Sequence, residues 1–280
     1  MVQSSMFYNK SILSLLGASL LTAALTAPAQ AYQLFFGEDI NPNPGEGLLF
    51  GDIPNSRAAE AAFLAALTNG YATEDFESFE IFTPAELNLA FGNIATATLS
   101  GGGPNSSVRS VDTDLLNDPT TPQAVKDDIL REISLGRNAS SGTQYWLTNA
   151  VADFTVSFDQ AVGGFGFYSY DLGDYGGTVA LQLFLNGIEV SQDWINIPFT
   201  QGAAGSTDGS AFYFGLLGNN NQRFDQVKFR MNGVTGDQFA FDDMTIAKAV
   251  PEPGTLLALL GLGALGSTFL KRRSNAAEVE

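Results

Sequence analysis

Alternation of apolar and polar residues is the strongest pattern in this chain, and it is concentrated between Gln144 and Ala247. Apolar side chains occupy every second position in several short segments, as at Phe154, Val156 and Phe158, and Gly, Asn and Asp separate the segments. Antiparallel strands with one buried face produce this pattern. Seven or eight such strands without intervening helices predict an all-β fold, a β-sandwich of the jelly-roll type.

The sequence before this region continues the predicted sandwich with less regular strands. Acidic and aromatic residues alternate over residues 75–79, which we interpret as the first strand, and a second apolar stretch covers 87–99. Three glycines and a proline at 101–104 form a clear break. We therefore predict a sandwich over residues 73–249.

Two short helices are predicted outside the strands. In the entry segment, residues 32–72, an extended stretch up to Asp52 is followed by an Ala-rich helix over 57–68, with Ser56 as its cap. Such a helix is expected to pack against the side of a sheet. The polar insertion at 110–136 contains an amphipathic helix that begins at Thr121 and Pro122. Its apolar face is expected to carry Val125, Ile129, Leu130 and Ile133.

The N-terminal residues 1–31 have the layout of a secretory signal peptide. Lys10 precedes an apolar run from Ile12 to Leu25, and Ala29-Gln30-Ala31 offers a cleavage site of small residues. Ala29 and Ala31 are the predicted cleavage residues, with signal peptidase as the partner. The mature chain then begins at Tyr32 and lies in the periplasm or beyond.

The C-terminal tail contains three parts in order. Pro251-Glu252-Pro253 cannot be helical, because proline lacks an N–H and restricts the residue before it. The following 17 residues, 254–270, carry no charge and show no polar face, which predicts a transmembrane helix and disfavours a buried core helix. Lys271, Arg272 and Arg273 close the tail and place residues 274–280 in the cytoplasm.

This arrangement resembles the PEP-CTERM protein-sorting domain. The resemblance implies that an exosortase recognises Pro251, Glu252 and Pro253, and that Lys271, Arg272 and Arg273 act as the stop-transfer cluster. It also implies that the apolar helix holds the precursor in the inner membrane, and that the tail is removed during export. The destination would be the cell envelope, the cell surface or the extracellular matrix.

A second, weaker resemblance concerns the predicted sandwich. A DFE segment at its start, GFGFYSYDLGD at its centre and FDDM at its end are similar to the ectodomain common among PEP-CTERM proteins. They also resemble the calcium-bearing jelly rolls of carbohydrate-binding modules. This resemblance implies a jelly roll that carries calcium and binds polysaccharide.

Composition narrows the chemistry further. Residues 32–250 contain 27 Asp and Glu against nine Lys and Arg, a net charge of −18, which argues against nucleic acid or an anionic membrane as partner. The chain has no Cys and no His. Disulfides, the usual zinc sites and nucleophilic triads with histidine are therefore excluded, and oxygen-ligated Ca²⁺ is the plausible metal.

Two groups of acids are candidate Ca²⁺ ligands. Asp75 and Glu77 on the predicted first strand would meet Asp242 and Asp243 on the last strand if the two strands pair. Adjacent carboxylates repel one another unless a cation or a proton neutralises them, so we predict a structural Ca²⁺ there; the alternative is a solvated acidic surface. Asp171 and Asp174 share one turn, which is either a second Ca²⁺ loop or a solvated hairpin.

The predicted role is non-catalytic: a structural or polysaccharide-binding protein of the surface or matrix. Sugar rings can stack on exposed aromatic side chains. The candidates for such a platform, unless they are core residues, are Tyr145, Trp146, Tyr168, Tyr170 and Trp194. The alternative function is a glycosidase or polysaccharide lyase, which needs two carboxyls about 5–10 Å apart. No pair stands out in the sequence.

Overall fold

A computed structural model describes residues 32–41, 53–172, 177–200, 208–219 and 221–249. The elements within these ranges are three helices and thirteen strands. The helices are α1 (Pro54–Ala66), α2 (Asp114–Asn117) and α3 (Gln123–Ser134). The strands are β1 (Tyr32–Asp39), β2 (Tyr71–Glu74), β3 (Leu87–Phe91), β4 (Ala95–Gly101), β5 (Ser107–Ser110), β6 (Gln144–Asn149), β7 (Phe154–Tyr170), β8 (Thr178–Leu185), β9 (Ile188–Glu189), β10 (Ile195–Asn196), β11 (Ala211–Gly218), β12 (Phe224–Asn232) and β13 (Gln238–Lys248).

The long strand β7 takes part in two layers of antiparallel sheet. Its first part, residues 154–158, pairs with β4 and β12, whereas residues 164–170 pair with β11 and β13. The first layer has the order β3-β4-β7-β12-β8-β10, and the second has the order β1-β11-β7-β13-β6-β5. The predicted all-β sandwich is confirmed, and the eight strands β6 to β13 match the number expected for residues 144–247.

Phenylalanine rings fill the space between the two layers. Phe229 of the first layer stacks on Phe154 with ring centroids 4.1 Å apart, and it meets Phe167 and Phe241 of the second layer at 5.4 and 5.8 Å. All four side chains are essentially inaccessible to water. Burial of these rings is the main driving force for closing the sandwich. The alternation in the sequence therefore identified the inner faces correctly.

Helix α1 covers the outer face of the second layer, as expected. Phe63 is fully buried there, with its ring centroid 5.5 Å from that of Phe35 and 6.0 Å from that of Tyr213. The predicted cap was wrong, because the helix begins at Pro54 and Ser56 lies within its first turn. Asp39 of β1 accepts hydrogen bonds from the backbone N–H groups of Asn55 (3.1 Å) and Ser56 (2.8 Å), so a distant strand caps the helix.

The start of the domain differs from the prediction in two ways. The entry segment is not merely extended, since residues 32–39 form β1 along the edge of β11. The strand expected at 75–79 is absent: β2 ends at Glu74, and Phe76 adopts a φ of 61°. The Glu74 carboxylate accepts the backbone N–H groups of Phe76 and Ala90, at 2.9 Å each, and thereby turns the chain away from the sheet.

The predicted helix of the insertion is confirmed as α3, which begins one residue after Pro122. Its buried side is different from the expected one. Ile129 and Glu132 are buried, whereas Leu130 is 54% exposed. A charged residue occupies the inner face because it has an arginine partner beneath the helix, described below.

None of the helices among the described residues is long and apolar enough to cross a membrane. The predicted signal peptide with Ala29 and Ala31, and the tail from Val250 onward, lie outside those residues.

Candidate functional site

Strand β2 pairs with the last strand, β13, so the predicted meeting of the two ends of the sandwich is confirmed. The antiparallel register places Glu74 opposite Met244 and Tyr71 opposite Ala247. Asp75 directly follows β2 and therefore lies beside Asp243. Asp75 and Glu77 sit in the turn after the strand and not on a strand, which corrects their predicted position.

A β-bulge in β13 brings Asp242 and Asp243 onto the same side of the sheet. The pairing of β13 with β7 shifts register between Asp242 and Thr245, and Asp243 has a φ of 45°. In a regular strand two successive side chains point to opposite faces. A bulge removes that alternation locally, so both carboxylates reach the same neighbouring segment.

The segment beside the bulge contains two serines, Ser140 and Ser141. The Oδ2 atom of Asp242 accepts hydrogen bonds from the backbone N–H groups of Ser140 (2.6 Å) and Ser141 (3.3 Å), and the Ser141 hydroxyl donates to Oδ1 of Asp243 (2.7 Å). We refer to Ser140, Ser141, Asp242 and Asp243 as the serine cluster. Its carboxyl groups are buried, with Asp242 at 0% and Asp243 at 8% exposure.

The Ser140 hydroxyl lies between the two carboxyl groups. Its Oγ lies 2.8 Å from Oδ2 of Asp242 and 2.9 Å from Oδ2 of Asp243. A hydroxyl has only one proton to donate. One proton cannot make two full-strength hydrogen bonds, so a proton on one of the carboxyl groups, donated to the serine oxygen, would satisfy the second contact.

The electrostatic environment favours that proton on Asp242. Burial raises the pKa of Asp242 well above its usual value, and the neighbouring Asp243 raises it further, against the opposing effect of the Ser140 donors. Burial also raises the pKa of Asp243; the serine hydroxyls oppose this rise, and the charge of Asp75 adds to it. Serine donors thus hold the pair, and burial favours a proton on Asp242.

Glu77 is bound elsewhere, at the start of β6. Its Oε1 accepts the backbone N–H groups of Thr143 (2.6 Å) and Gln144 (2.5 Å), so it satisfies donors at the edge of the strand. Glu74, which the sequence analysis did not single out, is more buried than Glu77. Burial raises the pKa of Glu74, opposed by its hydrogen bonds from Ala90 and Phe76.

No three or more acidic side chains among the described residues come together in a way that could hold a metal ion. The structure places Asp75 beside Asp243, whereas Glu77 accepts its hydrogen bonds from Thr143 and Gln144. A structural Ca²⁺ at Asp242 and Asp243 stays a prediction, and it would have to replace the carboxyl proton.

Asp171 belongs to a second buried cluster. Its Oδ2 accepts from Nε of Arg137 at 3.1 Å, and Nη1 of Arg137 donates to Oε2 of Glu132 at 3.0 Å. The Tyr145 hydroxyl also donates to that Glu132 oxygen at 3.0 Å. We call Glu132, Arg137 and Asp171 the arginine cluster. Asp171 is 3% exposed, so it is not part of a solvated hairpin, and Asp174 lies outside the described residues.

The sequence contained one signal for the arginine cluster. Glu132 follows Ile129 by three positions and therefore lies on the same face of α3. An acid on the buried stripe of an amphipathic helix needs a cationic partner, because an unpaired buried charge is strongly unfavourable. The identity of the partner depends on tertiary contacts that no local pattern gives.

The predicted aromatic platform was wrong for four of its five residues. Tyr145, Trp146, Tyr168 and Tyr170 are between 0 and 3% exposed. The three tyrosines lie on the outer face of the second layer, beneath the covering segments, and Trp146 faces the inner core. Trp194 is partly exposed, but the guanidinium of Arg230 lies 4.0 Å from its ring centroid.

No curated protein matches this chain. Among solved structures, it is similar to the K2 cleaved adhesin domain of Lys-gingipain, at 13% identity and a TM-score of 0.38, over 64% of this chain and 98% of that chain. It is also similar to a xylan-binding domain from carbohydrate-binding module family 22, at 14% identity and a TM-score of 0.28, over 66% and 98%. A third similar structure is TmCBM61 in complex with β-1,4-galactotriose, at 16% identity and a TM-score of 0.27, over 62% of this chain and 94% of that chain. Likenesses at this level assign no ligand.

The tail gives a more specific match. The family model of the PEP-CTERM protein-sorting motif matches residues 249–273. The match covers Pro251-Glu252-Pro253, the uncharged segment and the basic cluster, and it begins at the residue after β13. The chain therefore carries a PEP-CTERM protein-sorting motif and is an exported protein that is processed at the membrane.

Proposed function

We propose that this chain is a non-catalytic jelly-roll protein that exosortase delivers to the cell envelope, the cell surface or the extracellular matrix, where it binds polysaccharide. The observation that carries the proposal is the position of the sorting motif. The motif begins at residue 249, directly after β13, which pairs with β7 on one side and with β2 and β6 on the other.

This attachment supports sorting of a folded domain. Residues 238–247 of β13 are all buried, so the strand cannot be pulled out without opening the second layer. Until the tail is cut, the sandwich remains next to the membrane that holds residues 254–270. Cutting at the motif would release the domain without removing any of its strands.

The environment of the most perturbed carboxyl supports a non-catalytic role. A glycosidase needs its acid in contact with the substrate. Asp242 is fully buried, and its Oδ2 accepts the backbone N–H groups of Ser140 and Ser141, so a polysaccharide has no access to it. The proton of this cluster thus has a structural use in our proposal.

Alanine replacement of Pro251, Glu252 and Pro253 tests the proposal. We expect the altered full-length precursor to stay in the inner membrane, because the apolar segment and the basic cluster still anchor it. Cell fractionation with immunoblotting should show the unaltered protein outside that membrane in a shorter form. Replacing Ser274 and Asn275 with alanine, beyond the matched residues, is the control and should change nothing. Release of the triple variant in the same shorter form would contradict sorting by this motif.

A further inference from the structure

A cleft of about 420 Å³ lies at the edge of the sandwich, between two loops that the serine and arginine clusters do not use. One wall is the loop 82–86 that precedes β3, and the other is the segment 100–107 between β4 and β5. The side chain of Arg109 lines the cleft as well. Ligand sites in proteins are typically clefts of roughly 300–1,000 Å³ with an aromatic lining and a few fixed polar groups.

An exposed aromatic ring lies on the first wall. Phe82 is 38% exposed, and its φ of 72° is a strained backbone conformation for a bulky residue. Two backbone hydrogen bonds to β5 hold Phe82 in this conformation. One runs from Phe82 N–H to Val108 O (2.8 Å), and the other runs from Val108 N–H to Thr83 O (2.9 Å). Strained residues that the surrounding structure holds in place are concentrated at binding sites.

The second wall is the glycine-rich break that the sequence shows at residues 101–104. Gly101, Gly102 and Gly103 all have positive φ, and so does Asn105 at 68°. The loop is fixed to its neighbours by hydrogen bonds from Gly102 N–H to Asp153 O and from Asn149 N–H to Gly102 O, both 3.0 Å. The wall is therefore preformed, which lowers the entropy lost when a ligand binds.

Arg109 connects the two walls, and one of its nitrogen atoms is buried without an acceptor. Its guanidinium lies 4.9 Å from the Phe82 ring centroid, its Nη1 donates to Asp128 at 2.7 Å, and its Nη2 donates to the Asn105 carbonyl at 3.3 Å. Its Nε is buried and finds no acceptor among the described residues. Buried donors are normally satisfied, so this one calls for an oxygen from a bound molecule or water.

We propose that this cleft binds a neutral sugar unit of a polysaccharide, an inference that rests on the proposed function. The Phe82 ring provides an apolar surface for the C–H face of the sugar. Asn105, which is exposed, and Ser100, which is half-buried, can pair with its hydroxyl groups, and Arg109 can donate to one of them.

The charges in and around the cleft favour an uncharged sugar over an acidic one. The charged residues that line the cleft are one base, Arg109, and one acid, Glu86, and Arg109 is already paired with Asp128. Residues 32–250 as a whole carry a net charge of −18. An anionic, uronate-bearing chain would thus be repelled by the domain and would find no unpaired cation in the cleft.

The test measures binding of the full-length protein in detergent by isothermal titration calorimetry. The probes are the neutral and the acidic fractions of exopolysaccharide from the producing organism, separated by anion exchange. Phe82→Gly removes the ring and suits the positive φ, so the variant should fold at least as well as the unaltered protein. Asn105→Gly removes one amide at another positive φ. Tyr71→Ala, which removes an exposed aromatic ring on β2 outside the cleft, is the matched control.

We expect the neutral fraction to bind to the unaltered protein. Phe82→Gly should lower the affinity at least about tenfold, and Asn105→Gly should lower it by less. Tyr71→Ala should leave the affinity unchanged. Raising NaCl tenfold should leave the affinity within about twofold. If the unaltered protein and its Phe82→Gly variant bound the neutral fraction equally well, the cleft would not be the binding site, but the proposed function would still hold. Binding of the acidic fraction alone would overturn the neutral class. Binding of neither fraction would overturn polysaccharide binding itself, and the cleft with it.

Discussion

The arginine cluster and the serine cluster both bury carboxyl groups beside the second layer, and they neutralise them by different means. Glu132 and Asp171 share the guanidinium of Arg137. Among the described residues, Asp242 and Asp243 are held by serine donors, and burial raises the pKa of both carboxyl groups. The same short segment, residues 137–141, supplies both the arginine and the serines.

The two clusters differ in how the stability that they contribute responds to the solution. Arg137 keeps its positive charge over the physiological pH range, because an arginine does not lose its proton there. A proton-bound carboxyl pair responds to pH, and a divalent cation can take the place of its proton. Of these two clusters, the serine cluster is therefore the one whose contribution to stability depends on pH and on divalent cations.

The largest expected effect comes from breaking the arginine cluster. Arg137→Ala leaves Glu132 and Asp171 buried without their cation and should lower the free energy of unfolding by about 3–5 kcal/mol. Urea denaturation followed by tryptophan fluorescence measures this, because both tryptophans lie between residues 144 and 200. Lys248→Ala, at an exposed cation at the end of β13, is the control and should cost at most about 0.5 kcal/mol. Similar losses in the two variants would show that the buried cation has no special role.

Calcium binding is the next largest effect. If Ca²⁺ replaces the proton of the serine cluster, a hundredfold excess over its dissociation constant should stabilise the protein by about 2.7 kcal/mol. The rise in melting temperature should be larger at pH 8 than at pH 5, since protons compete with the metal. Asp243→Ala should remove it. Identical melting curves at pH 8 with Ca²⁺ and with chelator would contradict a calcium site.

The pH dependence of stability should come partly from Asp242. Its pKa is raised in the folded protein, so between about 3.9 and that raised pKa the folded state binds more protons than the unfolded state. Stability is therefore highest in acid and falls as pH rises, by up to about 1.4 kcal/mol per pH unit for one group.

Asp242→Asn tests this directly. The amide stays neutral and its N–H can donate to Ser140, so the fall in stability between pH 4 and pH 8 should become smaller. Burial also raises the pKa of Glu74 and Asp128, and their contributions should remain. Chemical denaturation across this pH range is the measurement. An unchanged slope would mean that Asp242 carries no proton in the folded protein.

The smallest expected loss of stability comes from removing the hydroxyl of Ser141. Ser141→Ala removes the hydrogen bond to Oδ1 of Asp243 and should cost about 1 kcal/mol. Ser134→Ala, whose exposed hydroxyl donates to the carbonyl of Arg131, is the control and should be nearly neutral. Thermal melts of the two variants compare them. A larger loss in Ser134→Ala would contradict the importance given to the serine cluster.

The strands and their inner faces could be predicted because alternation is a local property. Phe154, Val156 and Phe158 are buried as expected, and the pairing of the first part of the sandwich with its last strand followed from the jelly-roll prediction. Strand β1 was missed, because YQLFFGED has no clean alternation and its partner lies about 180 residues later.

The candidate site could be predicted only in part. The sequence identified Asp75, Asp242 and Asp243 as neighbours, since they flank the two paired strands. It did not identify Ser140 and Ser141, because nothing local connects that segment to a bulge about 100 residues away. Phe82 was also missed: a positive φ at a phenylalanine is imposed by contacts with β5 and has no signature in the sequence.

The central claim is that an exosortase sorts this sandwich by its C-terminal motif. The intact mass of the protein isolated from outside the inner membrane tests it most directly. Our account predicts a chain that begins at Tyr32 and ends at or next to Pro251-Glu252-Pro253, with the apolar segment and the basic cluster removed. A mass that includes every residue through Glu280 would contradict it, because the tail would then be a permanent anchor.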